Sequence, residues 1–438
     1  MLTHRATTIL GEIPSEWGRD LLGSLLEKNQ GGDWGDDDGG VAVNVLRSTN
    51  FTACGKLDFS DVATRFFKSE KAAIFGLMDK DLLLERSGGG PTQPVGRIAF
   101  VDKDLPGHWF SNFVQLLRPE PKKIHPGFLG WVLFQVNRSG VVERLQHQTT
   151  QMRNLDFRDY LRVYLPRPSS EEQAIIAWML RTADDAHSAA EAKLTAARRL
   201  KTALMQQLFT RGMPGRHTRF KQTKIGEIPE EWELIPLGKA TSIVSGVALN
   251  SDRKPRSNPY KYLTVIHVQR ERLDLQQVRY LEIYPNELPD ALLKEGDILV
   301  VEGHANSSEI GRAALATAEV EGFAYQNHIF RLRLLPEGDF ERVFLLGVLN
   351  SERVRRHWAA TCNTSSGLNT INRRGLRRLL IQRPKTDEQK KIVSLIESAN
   401  KTIAAVEFEM QALERLKRSL LQNLLTGKVR VKPVESLP

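Results

Sequence analysis

Residues 392–427 read IVSLIESANKTIAAVEFEMQALERLKRSLLQNLLTG, and this stretch decides the architecture. Ile392, Ile396, Ala399, Ile403, Val406, Met410 and Leu413 recur along it in alternating steps of four and three. That spacing is the heptad seam of a helix that packs along its whole length. Leu416, Leu420 and Leu424 continue the seam with a phase shift. The opening Pro384-Lys385-Thr386-Asp387-Glu388 supplies cap residues and early carboxylates, and Thr426-Gly427 supplies a stop.

The stretch has a double. Leu165 to Thr210 aligns without a gap to Ile381 to Thr426 at an offset of 216, with 16 of 46 positions identical. The same seam phase runs through Ile176, Leu180, Ala183, His187, Ala190, Leu194, Ala197, Leu200, Leu204 and Leu208. Further upstream, Gly11-Glu12-Ile13-Pro14-Ser15-Glu16-Trp17 recurs as Gly226-Glu227-Ile228-Pro229-Glu230-Glu231-Trp232. Looser matches join Asp81 to Leu84 with Asp297 to Val300, and Gly96-Arg97 with Gly311-Arg312. Asn112 matches Asn327, and Leu57-Asp58-Phe59 matches Leu273-Asp274-Leu275.

The chain therefore reads as two tandem units, each a divergent globular part followed by a long helix. Two repeats are too few for a solenoid and suit a molecule with pseudo-two-fold symmetry. Two matched seams of equal length predict an antiparallel two-helix coiled coil. His187, opposite Ile403 in the alignment, reads as a tolerated seam residue. About 33 seam residues at roughly 1.5 Å each would make a rod of about 50 Å.

The globular parts read as mixed α/β (α+β). Residues 41–46, 81–85, 97–101, 113–117, 262–268, 297–301 and 328–334 have strand patterns, and 127–135 and 340–350 read as short helices. The expected segments are 1–165, a first globular domain; 166–212, a helix; 213–382, a linker and second globular domain; 383–427, a second helix; and 428–438, a tail.

Composition bounds the rest. A chain of 438 residues exceeds one ordinary core. No run of 18 apolar residues indicates a membrane span, and Met1 to Ser15 lacks the apolar core of a secretory signal. Cys54 and Cys362 stand alone, against a cysteine zinc site or a disulfide scaffold, so a reducing cytoplasm is expected. A net charge of +10 points weakly to polyanions.

Three loops carry suggestive chemistry. Arg86-Ser87-Gly88-Gly89-Gly90-Pro91 lacks the Lys-Ser/Thr ending of a P-loop and reads as a glycine hairpin. Gln146 to Asn154 and Thr361 to Asn372 are polar loops just before each helix, the second leading into Arg373-Arg374 and Arg377-Arg378. Amides, hydroxyls and arginines on neighbouring loops are the groups that bond base edges and phosphates.

Taken together, the chain resembles the specificity subunits of type I restriction-modification systems, over nearly its whole length. The resemblance rests on the Gly-x-Ile-Pro-x-x-Trp openings at Gly11 and Gly226, and on the pieces Asp81 to Arg97 and Gly296 to Arg312. It rests also on the two Pro-x-x-x-Glu-Gln helices, which end in LMQQLFTRG (204–212) and LLQNLLTGK (420–428). The order and duplication of these motifs carry the specificity. The resemblance implies two target-recognition domains, each reading half of a bipartite site in double-stranded DNA, and two spacer helices. These would dock two methyltransferase subunits, and through them the restriction subunits that bear motor and nuclease. S-adenosylmethionine, ATP and magnesium are then expected in partner chains, with no cofactor or metal here.

On this reading the base-contact candidates are Arg47, Asn50, Arg86, Ser87, Thr149, Thr150 and Arg153 in the first unit. In the second they are His267, Gln269, Arg270, His304, Ser365, Ser366 and Asn369, while Lys254, Arg256, Arg373 and Arg377 are phosphate candidates. The first polar loop lacks the glycine at Gly367 in the second. The enzyme reading is weak. Asn258-Pro259-Tyr260 lacks one proline of the amino-methyltransferase motif, and the nuclease-like Asp185, Glu191 and Lys193 fall on a helix instead of strands. The chain is expected to be non-catalytic; a coiled-coil DNA-binding or scaffold protein is the alternative.

Overall fold

The computed structural model describes residues 6–73, 75–89, 94–148, 152–365 and 368–432. Its principal helices are α1 (Pro126–Arg138), α2 (Ser170–Arg211), α3 (Arg342–Asn350), α4 (Glu352–Thr361) and α5 (Thr386–Leu424). The chain forms two compact units that do not follow its order. The first is Met1–Ala192 with Glu407–Pro438, and the second is Lys193–Val406. Each unit thus contains half of α2 and half of α5.

The repeat in sequence is a repeat in topology. The first unit has an antiparallel sheet in the order Ile98–Phe100, Leu82–Glu85, Val114–Pro119, Leu26–Gly31. The second has Ala313–Leu315, Ile298–Val301, Ile329–Leu334, Thr241–Ser245 in the same order. Leu82-Leu83-Leu84 and Ile298–Val301 are apolar at successive positions because both faces of these strands are covered. Leu82 and Leu84 pack with α1, while Leu83 packs with Val43, Val45 and Trp109 of a second sheet. In the second unit Ile298 and Val300 join the α3 side, and Leu299 joins Leu263 and Tyr325. Burying each such side chain contributes about 2 kcal/mol. Just before each strand an aspartate makes a bidentate ion pair, Asp81 with Arg118 and Asp297 with Arg333, every contact 2.7 Å.

The matched motifs fold back onto the starts of the long helices. Trp17 donates its indole N–H to Glu172 and Trp232 donates to Glu388, both at 3.0 Å. The glutamine after each glutamate is buried and donates to a proline carbonyl, Gln173 to Pro168 and Gln389 to Pro384, both at 2.9 Å. The Gly-x-Ile-Pro-x-x-Trp and Glu-Gln motifs therefore form one buried joint, made twice.

Within the first unit the helix halves run antiparallel: Asp184 pairs with Lys417, and His187, three residues on, lies 3.8 Å from Glu414, three residues back. His187 is thus a seam-edge residue paired across the helices. One expectation about the seam is corrected. Leu200 and Leu416 do not lie in it; they are 69% and 49% exposed. A 3.6-residue helix drifts against a strict heptad. After Leu413 the seam steps to Lys417, Leu421 and Leu424, all buried. Lys417 is tolerated there because Asp184 neutralises it and the rings of Trp131 and Phe134 flank it at 5.3 and 5.2 Å. Its counterpart Lys201 finds Asn400 where Lys417 finds Asp184, and pairs instead with Glu271 of the second globular part.

Candidate nucleic-acid interface

In each unit a small antiparallel sheet gathers polar loops that are far apart in sequence. In the first, Ser87–Gly88 pairs with Arg153–Leu155, which pairs with Gln146–Gln148. In the second, Gly303–His304 pairs with Leu368–Thr370, which pairs with Asn363–Ser365. Register places Asn154 opposite Ser87 and Asn369 opposite His304. Ser87 and Arg153 thus come together with the exposed Arg86, and His304 comes together with Asn369 and the backbone of Ser365. Asn369 also stitches its sheet, donating its amide to the carbonyls of Ala305 at 2.9 Å and His304 at 3.3 Å. Thr149, Thr150 and Ser366 lie outside the described residues.

Arginines of the repeated Gly-Arg pair hold the adjoining turns. Arg97 makes a bidentate ion pair with buried Glu85 and donates to the carbonyls of Ser48 and Phe51 at 2.8 and 3.1 Å. Arg312 donates to Val268 and Val265 at 2.6 and 2.7 Å. Sequence reading marked these positions through the repeat but not their task, which depends on where backbone carbonyls point.

Two base-contact candidates are corrected by burial and a third by its partners. Asn50 is 2% exposed; its oxygen accepts from the Arg47 amide at 2.8 Å and its nitrogen donates to Asp58 and Asp61 carbonyls. His267, also 2% exposed, accepts from the Thr264 amide at 2.8 Å through Nδ1. Both shape a turn instead of facing a groove. Arg270 turns inward, donating to Asn350 at 3.4 Å and to the Ser308 carbonyl at 3.0 Å. Arg47 is partly spent on Asp61 at 2.9 Å, and the Gln269 amide on the Ile266 carbonyl at 2.6 Å.

The phosphate candidates stand in the open. Arg373 and Arg377, with Arg374 and Arg378, project from the short helix Arg373–Arg378, which Asn372 caps by accepting from the Gly375 amide at 2.7 Å. That helix begins two residues after the Leu368–Thr370 strand, so its cations flank the polar sheet. Lys254 and Arg256 are exposed on a loop held by Glu282, whose carboxylate accepts from the amides of Arg256, Ser257 and Asn258 at 2.8, 3.2 and 2.8 Å. The Arg256 amide, with its two neighbours, holds that carboxyl below the usual range. A lowered carboxyl stabilises above its unfolded pKa and loses that contribution as pH falls through the folded value. These three amides should therefore exchange slowly at neutral pH and lose protection below about pH 4. Glu282→Gln should raise exchange severalfold and remove the pH dependence; unchanged exchange in hydrogen-exchange mass spectrometry would refute the anchor.

The residues of the rejected catalytic motifs have other places. Asn258-Pro259-Tyr260 enters the strand Pro259–Leu263, and Asp185, Glu191 and Lys193 lie on α2.

Comparison with known proteins agrees with this layout. Residues 229–415 match the family model of the type I restriction modification DNA specificity domain. The MjaVIII type I restriction enzyme specificity subunit of Methanocaldococcus jannaschii is 27% identical over 292 residues, covering 66% of this chain and 67% of that protein. The StySPI specificity subunit of Salmonella potsdam is 24% identical over 433 residues, covering 95% and 89%. In fold, the chain is similar to one from a structure of complex assembly and conformational transition of the type I R-M system. The TM-score is 0.58 at 16% identity, covering 95% of this chain and all of that one. Residues 229–415 thus carry the type I restriction modification DNA specificity domain, and over nearly its whole length the chain is similar to type I restriction enzyme specificity subunits.

Proposed function

We propose that this chain reads a bipartite DNA target, one half with each polar sheet, and docks two methyltransferase subunits through its long helices. The observation that carries the reading is the duplicated sheet: two copies of one scaffold hold different polar residues, as two half-sites of different sequence require. The chain itself is non-catalytic and cytoplasmic; methyl transfer, translocation and cleavage belong to partner subunits, which bind S-adenosylmethionine, ATP and magnesium. The segments 1–165 and 213–382 supply the reading heads, 166–212 and 383–427 the spacers, and 428–438 a tail. Arg86, Ser87, Arg153, His304 and Asn369 are the described candidates for the reading surface, with Thr149, Thr150, Ser365 and Ser366 on the same loops.

The test is co-purification with a methyltransferase subunit, followed by mapping of methylation on genomic DNA. A two-part motif with an unspecified gap, methylated only when this chain is present, is the expected result. No partner and no directed methylation would overturn it. The residue roles separate by salt. Arg86→Ala should relax one position of one half-site and cost roughly 1–3 kcal/mol. Arg373→Ala should weaken binding to all sequences and reduce the salt slope by about 1. Identical behaviour of the two variants would sink the assignment.

A further inference from the structure

Features shared by the two units follow from the repeat. One cluster in the second unit does not. Arg270, Arg353 and Arg355 line a recess of about 610 Å³ against Met205, Phe209 and Ile403. At the offset of 216 the first unit has Cys54, Asn137 and Ser139, so the cluster exists once.

Two of these three cations are held without a carboxylate partner. Arg353 bonds only neutral oxygens, the Leu380 carbonyl at 3.3 Å and the Gln382 side chain at 3.1 Å. Burial without a carboxylate pulls it down to about 10. The Arg355 Nε is buried with no hydrogen-bond partner. Burial lowers Arg270 as well; Glu309, 3.9 Å away, opposes this and repulsion from Arg355 adds to it. Arg353 and Arg355 occupy the first turn of α4, where the helix dipole disfavours cations. The carboxylates at the recess are taken: Glu352 pairs with Arg356, and Glu271 with Lys201.

A single multivalent oxyanion would resolve all of these conflicts, since guanidinium forks match phosphate oxygens and a helix N-terminus favours negative charge. We propose that this recess is a phosphate-binding pocket that takes the phosphate group of a small phosphorylated ligand, either free phosphate or a nucleotide. The volume exceeds what one phosphate needs, and the apolar wall of Met205, Phe209 and Ile403 could take an organic part. A DNA backbone is the less suitable occupant. Arg353 and Arg355 are half-buried in a concavity, whereas Arg373 and Arg377 are exposed.

Calorimetric titration of the full chain with inorganic phosphate, pyrophosphate, a nucleoside triphosphate and the bare nucleoside tests this. Saturable one-site binding by a phosphate-bearing probe is expected, weakened at least tenfold by Arg355→Gln and by Arg353→Gln. Arg219→Gln, exposed and paired with Glu230 away from the recess, should bind as the parent does. Should Arg353→Gln unfold, as thermal melting would show, Arg355→Gln carries the test alone. Nucleotide binding far tighter than pyrophosphate identifies the nucleotide as source; equal binding identifies the phosphate alone. Absence of saturable binding, binding indifferent to Arg355→Gln, or an Arg355→Gln defect seen only with duplex DNA would overturn the proposal.

Discussion

Glu388→Ala should destabilise the second unit by about 3 kcal/mol or more. The Glu388 carboxylate is 1% exposed and accepts from the Trp232 indole at 3.0 Å and the Met213 amide at 3.1 Å; His217 Nε2 lies 2.8 Å away. Removing it leaves three buried donors without an acceptor, each costing about 1–3 kcal/mol if water cannot reach it. The His217 side chain is only 2% exposed, so rehydration is poor. The first unit supplies the control. Glu172 receives Trp17 in the same way, but its cation is Arg430, whose side chain is 43% exposed. Freed Arg430 can return to water, so Glu172→Ala should cost measurably less. Unit-resolved hydrogen exchange under denaturant would report the two losses separately. Equal losses, or a loss below about 1 kcal/mol for Glu388→Ala, would show that the joint does not hold the second unit together.

That joint also shows what the sequence made legible. The motifs, their duplication and the helix lengths were readable because periodicity and self-similarity are properties of the chain itself. The partnership between Trp232 and Glu388 was not, since residues 156 positions apart meet only once the fold is known. The seam was readable up to Leu413 and failed at Leu416. An apolar residue seemed the better occupant than Lys417, yet helix drift and the presence of Asp184 decided otherwise. At the candidate interface, the polar loops were found because Gly, Ser, Thr and Asn cluster there. Which of their neighbours face outward was not encoded in residue type: Asn50 and His267 are as polar as the exposed Arg86, but they are consumed in their own turns. The scaffold arginines Arg97 and Arg312 were visible only as a repeated Gly-Arg pair.

If the long helices set the gap between half-sites, adding one heptad to both should widen the preferred gap by up to about 3 base pairs, from roughly 10 Å of added helix. The insertions belong after Ala192 in α2 and after Val406 in α5, where the compact units divide and the pairing of Asp184 with Lys417 is left intact. Seven residues preserve the seam face, so packing on either side survives. The half-site sequences should be unchanged, because neither polar sheet is touched. A heptad added to α2 alone is the informative contrast. If the paired helices run as one rod, it leaves them unequal in length, so pairing beside the insertion is lost and stability should fall without any new gap appearing. Methylation mapping with the double insertion reads the outcome directly. A longer gap between the same two half-sites supports a spacer of fixed length; altered half-sites with an unaltered gap would show that the helices do not measure the distance.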